Sequence, residues 1–302
     1  MDPLARIRKL LRSPDDITSR LERMQQALGR IEARQTRNVD NLRDAEFQVA
    51  SQWGEDGIIQ YLIRHVPIHR SLFVEFGVQD YAEANTRFLL QNNNWAGLVV
   101  DASGENVRRI RSDPIYWRCN LKAECAFIDR ENINDIIRRN GIAGDIGLLS
   151  IDIDGNDYWV WEAIEAVNPR IVVVEYNSLF GPRARVTIPY QRDFHRSHAH
   201  HSNLYWGASI GALELLSKRK GYALVGSNTA GNNAFFVRLD SLGKLCAVSA
   251  EEAYVRAQFR ESRTVDGELS FLDRDQSVSL IGGLPVVDLA VSRSVAIRDV
   301  IT

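Results

Sequence analysis

The sequence predicts an α/β protein built on a doubly wound sheet of seven strands. Short apolar segments alternate with amphipathic segments from residue 47 onward. Strands that are buried on both faces of a parallel sheet have this nearly continuous apolar character. The last two apolar segments are close enough in sequence to form an antiparallel pair. A mainly parallel sheet that ends in one antiparallel pair is therefore expected.

The predicted strands follow one another at regular intervals along the chain. They cover residues 71–77, 96–101, 124–128, 146–152, 170–176, 221–226 and 233–239. Helices fill the intervals, most clearly over residues 55–66, 132–140 and 208–220. Gly141 and Gly221 end two of these helices, because glycine readily adopts the left-handed conformation found just past a helix end.

The bulk composition is that of an ordinary globular protein. The 302 residues are 45% hydrophobic and 25% charged, with a formal net charge of −2, so nucleic acid is not an expected partner. Cys119, Cys125 and Cys246 form no CxxC pair, which fits a reducing compartment. No apolar run approaches the roughly 20 residues of a membrane helix, and no signal-peptide pattern opens the chain. We therefore expect a cytoplasmic protein.

The chain divides into three predicted parts. Residues 1–45 are helical, residues 46–249 form the α/β domain, and residues 250–302 form an extension packed on that domain. In the first part, five apolar residues have alternating spacings of four and three, namely Ile17, Leu21, Met24, Leu28 and Ile31. This heptad seam predicts a coiled coil that joins subunits in a homo-oligomer of two or three strands. The alternative is a single amphipathic helix packed on its own domain.

Residues 1–13 precede this seam and carry both leucines and basic residues. A basic amphipathic helix of this kind can lie on an anionic membrane surface. That would place the protein at the inner membrane face as a peripheral protein. A solvated helix or a contact with a partner explains the same pattern.

The segment from Ser71 to Ser103 has the order strand, glycine turn, helix, strand and acidic residue. Glu75 and Gly77 lie at the carboxyl end of the first strand, where open α/β sheets bind ligands. Asp101 ends the next strand and is placed to accept hydrogen bonds from ribose hydroxyls. The segment lacks the three-glycine dinucleotide fingerprint. A cofactor with a ribose and no pyrophosphate is favoured, and S-adenosylmethionine is the leading candidate.

Several short blocks together resemble one family. They are SQWGED (51–56), VEFGV (74–78), NTRFLL (85–90), W-x-GLVVD (95–101) and IDIDGND (151–157). Over residues 48–240 the chain resembles FkbM-like and related S-adenosylmethionine-dependent sugar O-methyltransferases, which occur in bacterial surface-polysaccharide pathways. The resemblance implies a Rossmann-like seven-stranded methyltransferase fold. Where that family commonly has Asp-x-Glu-Gly, this chain has Asp154 in place of the glutamate.

The resemblance and the strand ends together indicate a set of cofactor-binding residues. The set is Gln52, Glu75, Gly77, Asn85, Asp101, Asp129 and Asp152. Within it, Glu75 is expected near the methionine amino group or the turn. Asp129 is expected near the adenine amino group, although a surface acid is an alternative there.

Carboxylates also cluster after the fourth and fifth strands. Asp152, Asp154 and Glu175 are hard oxygen donors that would suit Mg²⁺ or Mn²⁺. A bound cation would make a sugar hydroxyl easier to deprotonate. In the metal-free alternative, Asp152 touches the cofactor and Asp154 acts as the base.

The insertion over residues 178–206 is expected to cover the substrate. It contains four of the six histidines, and we expect His195 or His198 to take the hydroxyl proton. Arg183, Arg185 and Arg192 suit an anionic acceptor, and Tyr205 could stack on a sugar ring. A solvated polar loop is the alternative for both groups.

These residues predict methyl transfer from S-adenosylmethionine to a sugar hydroxyl of a bacterial surface polysaccharide or its precursor. A catalytically degenerate scaffold that organises polysaccharide assembly is the second hypothesis. A nicotinamide-dependent sugar oxidoreductase is a third, and it lacks the expected glycine fingerprint.

Overall fold

The computed structural model describes residues 14–258 and 261–301, with the side chains of residues 14–16 excepted. The membrane contact predicted for residues 1–13 lies outside the described residues. Among the helices of the described part, none combines the length and apolarity needed to cross a bilayer.

A mixed seven-stranded sheet occupies the centre of the protein. Its strands are β1 (Leu72–Phe76), β2 (Ala96–Asp101), β3 (Leu121–Cys125), β4 (Gly144–Ile151), β5 (Val167–Glu175), β7 (Tyr222–Ser227) and β8 (Asn233–Arg238). Their order across the sheet is β3-β2-β1-β4-β5-β8-β7. Strands β1 to β5 pair in parallel, and β8 runs antiparallel to both neighbours. The predicted Rossmann-like sheet and its antiparallel final pair are confirmed.

Helices cover both faces of the sheet, and the N-terminal one is the longest of those described. The helices are α1 (Pro14–Gln35), α2 (Glu55–His65), α3 (Arg87–Asn93), α4 (Gly104–Ser112), α5 (Pro114–Arg118), α6 (Ile133–Arg139), α7 (Asp157–Ala163), α8 (Arg196–Ala199), α9 (Ile210–Lys220), α10 (Ala250–Ala253) and α11 (Arg274–Ile281). Apolar clusters fill the space on each side of the sheet, with Val74 and Trp161 in one and Phe73 and Leu62 in the other. Alternate residues of each buried strand therefore serve opposite cores.

The third strand begins earlier than the sequence predicts. Strand β3 covers Leu121–Cys125, and Leu121 pairs with Gly97 of β2. Leu121 and Ala123 face the core while Lys122 faces solvent. This half-buried strand therefore lacks the continuous apolar run that predicts a strand buried on both faces. Residues 126–128 leave the sheet and line a cleft instead.

A second sheet joins the insertion to the C-terminal extension. It consists of β6 (Val186–Thr187), β9 (Pro285–Asp288) and β10 (Arg293–Ala296), in the order β10-β9-β6. Phe180, Trp206, Ile281 and Val286 pack together beside it. The extension thus supports the insertion from outside the main sheet.

Candidate active site

A cleft of about 860 Å³ lies at the carboxyl ends of β1, β2, β4 and β5. The chain reverses its direction of winding between β1 and β4, which is where open α/β sheets bind ligands. The volume is within the range of small-molecule sites, roughly 300–1,000 Å³. Six of the seven predicted cofactor residues line it, namely Gln52, Glu75, Gly77, Asn85, Asp101 and Asp152.

The seventh, Asp129, is turned away from the cleft. Its carboxylate accepts hydrogen bonds from the backbone N–H of Asn132 (2.6 Å) and from Nε of Arg192 (2.8 Å). Because β3 ends at Cys125, Asp129 lies further beyond the sheet than the sequence predicted. The structure thus gives Asp129 a role in ordering the loop before α6.

Gly77 makes the closest contact between the two strands that flank the cleft. Its φ is +75°, and a Cβ placed there would lie 1.5 Å from the carbonyl oxygen of Asp152. No L side chain can occupy that space, so glycine is required. The glycine at this position therefore allows the backbone after β4 to approach the end of β1 closely.

Asp101 is held rigidly at the end of β2. Its Oδ2 accepts a hydrogen bond from the backbone N–H of Gln79 (2.8 Å). Its Oδ1 accepts bonds from the N–H of Ser103 (2.8 Å) and from Nδ2 of Asn106 (3.0 Å). These donors orient the carboxylate, while Oδ2 keeps acceptor capacity for a ligand hydroxyl.

Glu75 is a buried carboxyl group that ties β1 to the start of α3. It accepts hydrogen bonds from the backbone N–H groups of Asn85 (2.8 Å) and Thr86 (3.2 Å). Burial raises the pKa of Glu75 to about 7, although these hydrogen bonds lower it. The side chain of Asn85 in turn donates to Oγ of Ser150 (3.1 Å). These hydrogen bonds fix this wall of the cleft through groups of the chain itself.

Two carboxyl groups meet where β4 and β5 end. Asp152 and Glu175 both line the cleft, and burial followed by nearby carboxylates raises both pKa values well above their usual range. Oε2 of Glu175 is buried and has no donor among the described residues.

Asp157 and Asp154 shape the turn that follows β4. Asp157 accepts hydrogen bonds from the backbone N–H groups of Ile153 (2.8 Å) and Gly155 (2.9 Å), and burial raises its pKa to about 6. Asp154 has a φ of +56° and forms an ion pair of 2.9 Å with Arg196. Asp154 therefore reaches toward the insertion across the mouth of the cleft.

The predicted metal site is not supported. The sheet brings Asp152 and Glu175 to the same edge of the cleft as expected, but Asp154 pairs with Arg196. Within the part of the chain that the structure describes, no group of three or more His, Cys, Asp or Glu residues is arranged to hold a metal ion. We derive no step through a divalent cation.

The insertion brings one predicted histidine to the cleft. His195 lines it, and its ring centroid is 5.2 Å from that of Phe127. His198 lies outside the lining, although its ring is 5.2 Å from that of His195. The buried side chain of Phe194 packs against Gly155. A Cβ added to Gly155 would lie 2.2 Å from the ring of Phe194.

The four predicted substrate residues lie outside the cleft lining. Arg183 pairs with Glu251 at 3.1 Å, and Arg192 pairs with Asp129 at 2.8 Å. The hydroxyl of Tyr205 donates to the carbonyl oxygen of Pro285 at 2.5 Å, and Arg185 is exposed on the surface. In their place, Arg196, Asn203 and Glu261 form the outer wall of the cleft.

Sequence analysis missed the polar turn between β7 and β8. Asn232 and Asn233 line the cleft beside Glu175, because β8 pairs with β5. The buried Glu55 holds this turn through Nδ2 of Asn228 (2.6 Å) and Nδ2 of Asn233 (2.9 Å). The antiparallel pairing was predicted, and it implies that the turn lies at the same edge as the end of β5.

Comparisons with known proteins complete the description. No family model and no curated protein matches the sequence. The N-terminal domain of EvdMO1 with SAH bound is 12% identical over 69% of this chain and 94% of that chain, with a TM-score of 0.39. PKMT2 from Rickettsia typhi in complex with AdoHcy is 11% identical over 62% of this chain and 53% of that chain, with a TM-score of 0.41. The O-methyltransferase from Bacillus cereus in complex with SAH is 13% identical over 55% of this chain and 72% of that chain, with a TM-score of 0.36. This chain thus spans about half the length of the Rickettsia protein. We base no functional assignment on similarities of this size.

Proposed function

We propose that the protein transfers a methyl group from S-adenosylmethionine to a hydroxyl of a neutral sugar in a bacterial surface polysaccharide or its precursor. The observation that carries this proposal is the placement of Asp101. Its oriented carboxylate ends β2 and faces the turn of Gly77 and Gln79 inside the cleft. A ribose offers hydroxyl donors that suit such an acceptor.

The chain's residues fit this cofactor in charge as well as in shape. The lining contains eight carboxyl residues, namely Glu75, Asp80, Glu83, Asp101, Asp152, Asp154, Glu175 and Glu261. S-adenosylmethionine carries a sulfonium, an ammonium and one carboxylate, and an acidic cleft attracts its net positive charge. When bound, it supplies an electrophilic methyl group. Glu75, Gly77, Asn85 and Asp101 are the residues that would surround it.

The same lining favours a neutral acceptor over an anionic one. Among the described residues, Arg196 is the only lysine or arginine in the lining, and its guanidinium is paired with Asp154. A carboxylate or phosphate entering this cleft would be repelled by the surrounding acids. Asn156, Asn203 and Asn232 offer amide groups, which can both donate to and accept from neutral hydroxyls.

His195 is the proposed base. Its exposed ring lies on the cleft wall beside Phe127, where an acceptor hydroxyl can reach it. The hydroxyl proton passes to an imidazole nitrogen as the oxygen takes the methyl group and the carbon–sulfur bond breaks, so an ether, a protonated histidine and S-adenosylhomocysteine result. Holding the two reactants in line supplies much of the remaining acceleration.

The cofactor step is tested by calorimetric binding of S-adenosylhomocysteine to the wild type and to Asp101→Asn. Loss of a charge-assisted acceptor costs about 1.5–3 kcal/mol, so we expect affinity to fall roughly 10- to 100-fold. Glu105→Gln is the matched control, because Glu105 is exposed on α4 and lies outside the lining. No binding to the wild type would refute the proposal and favour the scaffold hypothesis.

The transfer step is tested separately with labelled S-adenosylmethionine and extracts of surface-glycan precursors. We expect label in a sugar ether, and we expect His195→Ala to lower kcat while S-adenosylhomocysteine binding is kept. Cofactor binding without label transfer to any sugar would reject the sugar acceptor alone.

A further inference from the structure

The N-terminal helix exposes a continuous apolar stripe. The seam residues Ile17, Leu21, Met24, Leu28 and Ile31 are each between 50% and 62% exposed. They follow one another at spacings of four, three, four and three. Consecutive half-exposed aliphatic side chains on a single helix face form a patch of the kind that marks an interaction site.

The opposite face of α1 is fastened to the domain. Gly29 lies against Val49 and Phe88. A Cβ added to Gly29 would lie 2.3 Å from the side chain of Val49 and 3.0 Å from that of Phe88. Nε2 of Gln25 donates to the carbonyl oxygen of Val49 at 2.6 Å. The helix therefore packs on its own domain, but with the face opposite to the seam.

The end of α1 is fixed by a further contact. Arg64 of α2 donates to the carbonyl oxygen of Ala33 (2.9 Å) and to Oγ1 of Thr36 (2.8 Å). Rotating the helix to bury the seam would break these bonds and expose Ala33, which is 5% exposed. An intramolecular partner for the seam is thus excluded within the described residues.

The first half of α1 is exposed to solvent. Every residue from 17 to 24 is exposed. A helical segment of this length is marginal in water, because most helices are stabilised by packing of an apolar face. Packing of the seam against a further apolar surface would stabilise this half of the helix.

We infer that the seam packs against the seams of further copies of this chain in a coiled coil. The stripe is only two positions wide, which is the width of a coiled-coil seam and narrower than a face that lies in a membrane. Its flanking e and g positions carry both signs of charge, as at Arg20, Glu32 and Arg34, whereas membrane-surface helices are mainly basic.

The position of the domain allows such an assembly. Gly29, Ala33 and Thr36 attach α1 to the domain from the side away from the seam. In a coiled coil built on these seams, the α/β domain of each copy would therefore lie outside the central helices. In heptad terms Leu21 and Leu28 occupy a positions and Ile17 and Ile31 occupy d positions, an arrangement that favours more than two parallel strands.

The test is the mass of the full-length protein by light scattering after size exclusion. We expect a concentration-dependent multiple of the monomer mass for the wild type, and the monomer mass for Leu21→Glu and Leu28→Glu. Ser19→Glu is the matched control, since Ser19 is exposed on the same turn but lies off the seam. It should keep the wild-type mass. Unchanged S-adenosylhomocysteine binding would show that the variants are folded.

Three outcomes would overturn the inference. The first is a monomeric wild type at every concentration. The second is a wild-type mass that Leu21→Glu and Leu28→Glu leave unchanged. The third is a monomer that floats with anionic vesicles and loses this on Leu21→Glu, which would assign the seam to a membrane surface.

Discussion

Gly77 shows at the scale of one residue how the sheet constrains the site. Strands β1 and β4 pair in parallel, and just beyond them the backbone of Asp152 fills the space that a side chain at position 77 would need. A methyl group there collides with backbone, which cannot rotate away as a side chain can. The cleft geometry and the sheet therefore depend on the same glycine.

We predict that Gly77→Ala costs at least about 3 kcal/mol of unfolding free energy. The control is Gly144→Ala, where φ is also positive, at +71°, but no atom of the described residues lies within 4 Å of the added Cβ. That change should cost only about 1–2 kcal/mol, for the left-handed backbone. Urea unfolding of both variants gives the comparison, and equal costs would contradict the proposed clash.

The predicted positions at strand ends line the cleft, whereas most of the predicted positions in the insertion lie outside its lining. Glu75, Gly77 and Asp101 line the cleft because the end of a strand has only one place in a parallel sheet. Arg183 and Arg192 pair with Glu251 and Asp129 instead. Those partners are distant in sequence, so no local pattern could reveal them.

At the scale of elements, Asp56 organises the segment that leads into α2. Its Oδ2 accepts bonds from the N–H groups of Val49 (2.8 Å), Ala50 (2.6 Å) and Ser51 (2.8 Å). Its buried Oδ1 has no hydrogen-bond partner among the described residues. Burial outweighs the hydrogen bonds and raises the pKa of Asp56 to about 6.

This pKa predicts a pH-dependent stability difference between the wild type and Asp56→Asn. The folded-state pKa of about 6 exceeds the ordinary aspartate value of 3.8, so the native state binds more protons than the unfolded state between these pH values. Wild-type stability relative to the variant is then highest at low pH and declines as pH rises through 6. We expect a relative loss on the order of 2 kcal/mol between pH 4 and pH 7.5.

Urea unfolding of both proteins at several pH values measures this difference. Other titrating groups, including His200, whose pKa burial lowers, act on both proteins and cancel. Parallel stability profiles would contradict the assignment of a raised pKa to Asp56.

The first and last residues of the strands show where the local sequence pattern is not sufficient to predict a strand. Strands β2 and β8 match their predicted spans closely, because both are buried and nearly continuous in apolar residues. Strand β3 was placed too late, since it is half-exposed at the edge of the sheet. Strands β6, β9 and β10 were missed, because each is short and β6 pairs with β9 over a long sequence distance.

At the scale of the whole molecule, the distribution of charge predicts the acceptor. The chain has a net charge of only −2, yet carboxyl groups dominate the cleft. We predict that a neutral sugar acceptor is methylated with a kcat/KM at least about tenfold higher than the matching uronic acid. The preference should weaken as ionic strength rises. Equal use of both acceptors at low salt would contradict the electrostatic argument.

The amino-acid sequence by itself determined the order of strands and helices, the antiparallel final pair and the carboxylates at the strand ends. These features follow from periodicity and chain order, which are local properties. Only the tertiary structure decided that burial raises the pKa values of Asp152 and Glu175, that Arg196 engages Asp154, and that α1 leaves its seam exposed. Pairing and burial are set by groups far apart in the chain, and they exist only once the chain has folded.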